Sequence, residues 1–88
     1  MEIGVEISLY PLEAKFAPRI KAFLERLRAA GRFKIVTTSL STQVFGEYDE
    51  VLGALAREMR AALEASGEGG GKAVFLLKLF GPLPPPGA

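Results

Sequence analysis

Between Glu2 and Tyr10 the chain alternates without a break: Ile3, Val5, Ile7 and Leu9 take one set of positions, and Glu2, Gly4, Glu6, Ser8 and Tyr10 the other. Successive side chains of a strand point to opposite faces, so this period of two defines a strand with one face on a core and the other turned away. The apolar face needs partners, and 88 residues hold a single small domain in which to supply them. With 49% hydrophobic and 24% charged residues the chain has the proportions of a globular protein.

The remaining elements follow from spacing and punctuation. Pro11 removes a ladder donor and ends the first strand, and Pro18 suits the first turn of a helix whose apolar positions Phe16, Ile20, Phe23, Leu24 and Leu27 recur at three and four. Gly31 is the expected C-terminal cap of that helix. Phe33 to Thr38 is rich in β-branched residues and, with Thr42 to Glu47, reads as a two-stranded hairpin turning around Ser39 and Ser41. Glu47, Asp49 and Glu50 favour a helix N-terminus, and Val51, Leu52, Leu55, Met59, Ala62 and Leu63 continue at helical spacing to near Ser66. Gly67 to Gly71 is expected to be a loose connector and Lys72 to Phe80 a last apolar strand.

The order strand, helix, strand, strand, helix, strand gives an α+β, ferredoxin-like βαββαβ sandwich: a four-stranded antiparallel sheet with two helices on one face and spatial order β4, β1, β3, β2. Residues 1–80 form the expected domain and 81–88 a Pro-rich, extended C-terminal tail. Along the last strand Ala73, Phe75, Leu77 and Leu79 are expected under the helices, which leaves Val74, Leu76 and Phe80 on the open face. A second face this apolar calls for a cover, and a homodimer or homotetramer packed through the sheet is the expected one.

Composition removes much chemistry. The chain has no His and no Cys, so zinc-thiolate sites, disulfides and His-assisted nucleophiles are excluded. The carboxylates form no paired-acid motif, and no enzymatic activity, resident cofactor or metal is expected. The string SGEGGGKA resembles a phosphate loop only superficially, since Ala73 follows the Lys and the segment runs from helix to strand. A net charge of +1 argues against nucleic acid and anionic membranes as partners, although seven of the eleven basic residues fall between Lys15 and Lys34. The basic-Gly-aromatic signature of RNA-recognition strands is missing from TQVFGEY. The acidic start and the lack of a long apolar run point to the cytoplasm.

Glu6 is the charge of most interest, because it lies mid-strand on the face away from the helices, with Lys78 in diagonal reach. It is either half of an interfacial ion pair or a counter-charge for a ligand. At the end of β1, Ser8 and Tyr10 should neighbour the start of β3, which brings in Thr38, Ser41, Thr42, Gln43 and Phe45. Hydroxyls, an amide and aromatic surface suit a planar polar heterocycle, although polar residues at a strand end also serve as plain hairpin trim.

The segments ISLYPL (7–12), STQVFGEYDEV (41–51) and AVFLLKLFG (73–81) resemble the YkoF-like family of thiamine- and hydroxymethylpyrimidine-binding proteins. The resemblance implies a ferredoxin-like unit that binds thiamine or its pyrimidine moiety without turning it over, in salvage, transport or sensing, and assembles through sheet faces or edges. It implies a pocket on the open sheet face at a subunit interface, in which Ser8, Ser41, Thr42 and Gln43 hydrogen-bond the aminopyrimidine. Tyr10 or Phe45 would stack on a ring and Glu6 would face the exocyclic amine or the thiazolium. The alternatives are an oligomeric structural or regulatory module without a cofactor ligand and, more remotely, an RNA-binding module.

Overall fold

A computed structural model describes residues 1–85 and has the expected element order: β1 (Glu2–Pro11), α1 (Ala17–Ala29), β2 (Lys34–Thr37), β3 (Thr42–Glu47), α2 (Tyr48–Glu68) and β4 (Ala73–Leu83). The strands form one antiparallel sheet in the order β2-β3-β1-β4, so the ferredoxin-like α+β sandwich read from the sequence is the fold observed. No helix of the described residues is long and apolar enough to cross a membrane.

The alternation of β1 sets the core. Ile3, Val5 and Ile7 are buried against Val44 of β3, Phe23 and Leu27 of α1, and Val51 and Leu55 of α2. Full burial of a side chain of this size contributes about 1.5–3 kcal/mol, so these eight carry much of the stability of so small a domain. Phe75 of β4 joins them through a tilted contact with Phe23, ring centroids 5.2 Å apart. The opposite face of β1 is shaped by Gly4, over which the Phe80 ring lies so closely that a Cβ would collide with it. Phe45 meets Phe80 edge to face at 6.0 Å, giving the open sheet face an aromatic patch.

Four expectations are corrected by the packing. Gly31 does not cap α1: Ala30 does, with its N–H bonded to Leu27 O and no left-handed residue, and Gly31 instead leaves room for the Phe33 ring. The glycine run after α2 is a built helix stop rather than a loose connector. Gly70 takes φ +76°, its N–H reaches Gly67 O, and Gly71 N–H reaches Ser66 O, both at 2.9 Å, which is the paired arrangement of a Schellman motif. β4 is an edge strand that the helices cover at Phe75 but not farther along, so Leu77 and Leu79 are 38% and 51% exposed instead of covered. β4 also runs to Leu83, which pairs with Glu2, so residues 81–83 of the expected tail belong to the sheet; Pro86, Gly87 and Ala88 lie outside the described residues.

At the start of α2 the acidic cluster behaves as its position predicts. Glu47 is the N-cap, its carboxylate accepting the Glu50 N–H at 2.9 Å, and the main-chain N–H groups of Glu50 and Asp49 hold its pKa below the usual carboxylate value.

Candidate functional site

The two middle strands of the sheet, β1 and β3, do not end together. β1 pairs with β3 only as far as Ile7 opposite Thr42, whereas its pairing with β4 continues through Ser8, Leu9 and Tyr10 to Pro11 opposite Ala73. Four residues of β1 therefore overhang the β2–β3 hairpin, and the notch beside them opens into a pocket of about 520 Å³. Its walls are the overhang, Leu12, the first turns of α1 at Phe16, Ile20 and Leu24, and the hairpin from Thr37 to Thr42.

The hairpin tip is shaped by Thr38. Its hydroxyl accepts the N–H groups of Leu40 at 3.1 Å and Ser41 at 3.3 Å and donates to Ser41 O at 3.3 Å, while its N–H reaches the same carbonyl at 2.9 Å. A side-chain oxygen thus takes the place of a main-chain turn bond, and the two-residue tip closes without any residue of positive φ. Leu40 at that tip is 88% exposed and stands at the mouth of the pocket with the half-exposed Tyr10, Leu12 and Phe16.

Of the sixteen lining residues none carries a charged side chain. Charge acts from the next position out, on both sides. Ser41 Oγ donates to Glu6 Oε2 at 3.2 Å, so its hydrogen is engaged and its lone pairs are left for a pocket occupant. Across the pocket Arg28 Nη2 makes a long contact of 3.5 Å with Thr37 Oγ1, which lies 3.3 Å from Thr42 Oγ1. Either hydroxyl of this pair can donate to the other, so Thr42 can present a donor or an acceptor. The pocket can therefore hold a neutral ring that presents both donors and acceptors.

Ser8, Tyr10, Thr38, Ser41 and Thr42 are brought together here. Ser8 and Tyr10 do not lie beside the start of β3, as the sequence suggests, but beyond it on the overhang. Thr38 holds the turn, with its hydroxyl already engaged by the tip. Glu6 lies just outside, opposite Gln43 on one side and Lys78 on the other, with Lys78 Nζ at 3.9 Å directly across the strand pair rather than diagonal to it. Phe45 is not part of the pocket: it faces Phe80 and lines a different recess at the far end of the sheet, with Arg32, Lys34 and Glu47. The pocket sits at the end of the sheet and reaches toward α1 rather than lying flat on the open face. Phe16, Ile20, Leu24 and Leu40 are lining residues that pattern reading assigns to core or loop; an apolar Leu40 between two serines at a hairpin tip was the available signal.

No family profile and no curated protein sequence matches the chain. Among solved structures it is similar to a hypothetical protein from Methanocaldococcus jannascii, with a TM-score of 0.77 and 23% identity over 93% of this chain and 81% of that one. A protein from Thermotoga maritima provisionally described as a thiamine biosynthesis/salvage protein gives a TM-score of 0.77 at 18% identity, covering 90% and 82% of the two chains. A domain of unknown function, DUF77, from Bacillus cereus gives 0.74 at 16% identity, covering 93% and 77%. At these identities what the chain has in common with them is the fold, a ferredoxin-like α+β sandwich.

Proposed function

We propose that the protein binds an aminated heterocycle, thiamine's hydroxymethylpyrimidine moiety or thiamine itself, in the notch beside the β1 overhang, and that it releases the ligand unchanged. The observation that carries this reading is the pocket itself: a group of hydroxyls able to donate and accept among apolar walls, with no charged side chain in the lining. Support comes from the fold held in common with a Thermotoga maritima protein described, provisionally, in terms of thiamine biosynthesis/salvage. Glu6, one hydrogen bond behind Ser41, supplies negative potential on the side where an amine or a thiazolium would lie. A phosphate has no cation in the lining to meet it, so the unphosphorylated forms are the ligands of this reading. In this reading the chain works as a homodimer or homotetramer, acting in salvage, transport or sensing.

Isothermal titration with thiamine and with 4-amino-5-hydroxymethyl-2-methylpyrimidine tests it. Saturable binding that Ser8→Ala and Thr42→Val weaken supports the reading, and the absence of heat with both ligands removes it. The second reading, an oligomeric module without a ligand, draws on β4, whose apolar residues are exposed on both faces. Stable assemblies that bind neither compound would favour it.

A further inference from the structure

We infer that the main chain of Leu9, through its N–H and C=O together, reads the edge of the heterocycle, and that the ligand is selected for a ring nitrogen acceptor adjacent to an exocyclic amine. This rests on the function proposed above and specifies what the pocket recognises.

The argument is one of parity along β1. In a regular strand the N–H and C=O of one residue point to the same side and those of the next residue to the other. Leu12 N–H bonds Lys72 O at 2.8 Å, which turns the even positions at this end of β1 toward β4. Tyr48 N–H bonds Met1 O at 2.9 Å, which turns the odd positions toward β3. Between these two points β1 pairs with β3 from Glu2 to Ile7 and with β4 from Gly4 to Pro11 without a change of register, so the parity carries through. Leu9 therefore directs both polar groups to the β3 side, where pairing stopped at Ile7 and where the pocket lies.

The residue that would have met them is Leu40, two positions before Thr42, but the Thr38-bonded turn folds the tip on itself, and the ladder ends at Thr42. On its β3 side Leu9 has no strand residue opposite it, because the β1–β3 register ends at Ile7 opposite Thr42. The next odd position is Pro11, which has no N–H to leave bare. The overhang thus exposes a single main-chain donor, with an acceptor beside it, at the floor of a pocket walled by Phe16, Ile20 and Leu24.

A donor and an acceptor fixed side by side on one edge complement a heterocycle with the inverse order, in the way a side-chain amide reads the acceptor and amine of adenine. Ring nitrogen would accept from Leu9 N–H while the amine donates to Leu9 C=O, and Ser41, its hydrogen committed to Glu6, can accept the second amine hydrogen. The 4-oxo analogue reverses the order, placing a ring N–H against N–H and a carbonyl against C=O, and leaves both main-chain groups without partners.

The test uses the 15N-labelled full chain with 4-amino-5-hydroxymethyl-2-methylpyrimidine and its 4-oxo analogue as probes, followed by calorimetry and by amide NMR. The expected result is that the oxo compound binds about ten- to a hundredfold more weakly, and that saturation with the amine moves the Leu9 amide proton downfield and slows its exchange with solvent. Equal affinities, or a Leu9 amide that does not respond while heat shows the amine bound, would overturn the inference and leave the proposed function standing. No binding of either compound would remove both.

Discussion

Ser41 Oγ donates to Glu6 Oε2 at 3.2 Å, tying the tip of the β2–β3 hairpin to the middle of the central strand β1 across 35 residues of sequence. The bond couples the position of the pocket's rim to a carboxylate in the middle of the sheet, and it leaves Ser41 as an acceptor for the ligand. In Glu6→Ala both effects go. The stability loss is expected to be small, about 1 kcal/mol or less, since the bond is part-exposed and Lys78 at 3.9 Å is a surface partner. Affinity for the aminopyrimidine should fall about five- to tenfold, one hydrogen bond's worth. Urea unfolding and calorimetry on the same sample measure the two, and unchanged affinity would take Glu6 and Ser41 out of recognition.

Thr38 separates shape from contact. Its hydroxyl serves two amides of the tip, so Thr38→Val should cost about 1 kcal/mol and also weaken ligand binding by releasing the rim, whereas Thr38→Ser keeps the oxygen and should keep both. Thermal melts of the three proteins, with and without ligand, decide it. A valine variant as stable as the parent would contradict the role assigned to the hydroxyl.

These two residues also show where sequence is a sufficient guide. β1 and β3 were legible because alternation and β-branching are local signals, and the strand order followed because few compact topologies join six such elements. Ser8, Ser41 and Thr42 were legible as a polar group near one strand end. The notch was not, since it depends on β1 outrunning its neighbour by four residues, a register fact that no single segment contains. The exposure of Leu77 and Leu79 was equally hidden: period two says which face a residue takes, and only the reach of the helices says whether that face is covered. Phe45 carries an aromatic ring suited to stacking, yet its strand position sets it beside Phe80, away from the hairpin tip.

The end of α2 offers a paired test on two glycines three residues apart, Gly67 and Gly70. Gly70 has φ +76° with open space around its Cβ position, so Gly70→Ala adds only backbone strain and should destabilise by about 1 kcal/mol or somewhat more. Gly67, exposed within the last turn of the helix and equally unobstructed, should gain about 0.5–1 kcal/mol on replacement by Ala. Opposite signs in denaturant unfolding confirm the Schellman stop, and the same sign for both would refute it.

At the other end of α2, Glu47 makes stability depend on acid. Its folded-state pKa lies below the ordinary value of 4.5 because the N–H groups of Glu50 and Asp49 favour the carboxylate. A lowered folded value means the unfolded chain takes up the proton first, so the cap's contribution is complete above pH 4.5 and is lost as pH falls through the folded value. Melting temperatures from neutral pH down to strong acid should therefore decline less steeply below that point in Glu47→Ala than in the parent. Parallel acid limbs would show that the cap bond does not form in solution.

β4 carries the most direct expectation about assembly. Among the described residues its outer edge has no strand beside it, and Val74, Leu76, Leu77, Leu79 and Phe80 are between 38% and 54% exposed on its two faces. A long apolar edge is what chains normally blunt with charge, and Lys78 is the single charged residue from Ala73 to Leu83. Left bare, such an edge pairs with another; a second β4, antiparallel to the first, would extend the sheet and bury the same residues on both sides. Sedimentation equilibrium is expected to give a multiple of the chain mass. Leu76→Lys with Leu79→Lys places a charge on each face, and because both side chains are already more than half exposed the fold should survive by circular dichroism while the mass drops to that of one chain. A parent protein that sediments as a monomer at high micromolar concentration would refute the pairing and require the pocket to work within a single chain.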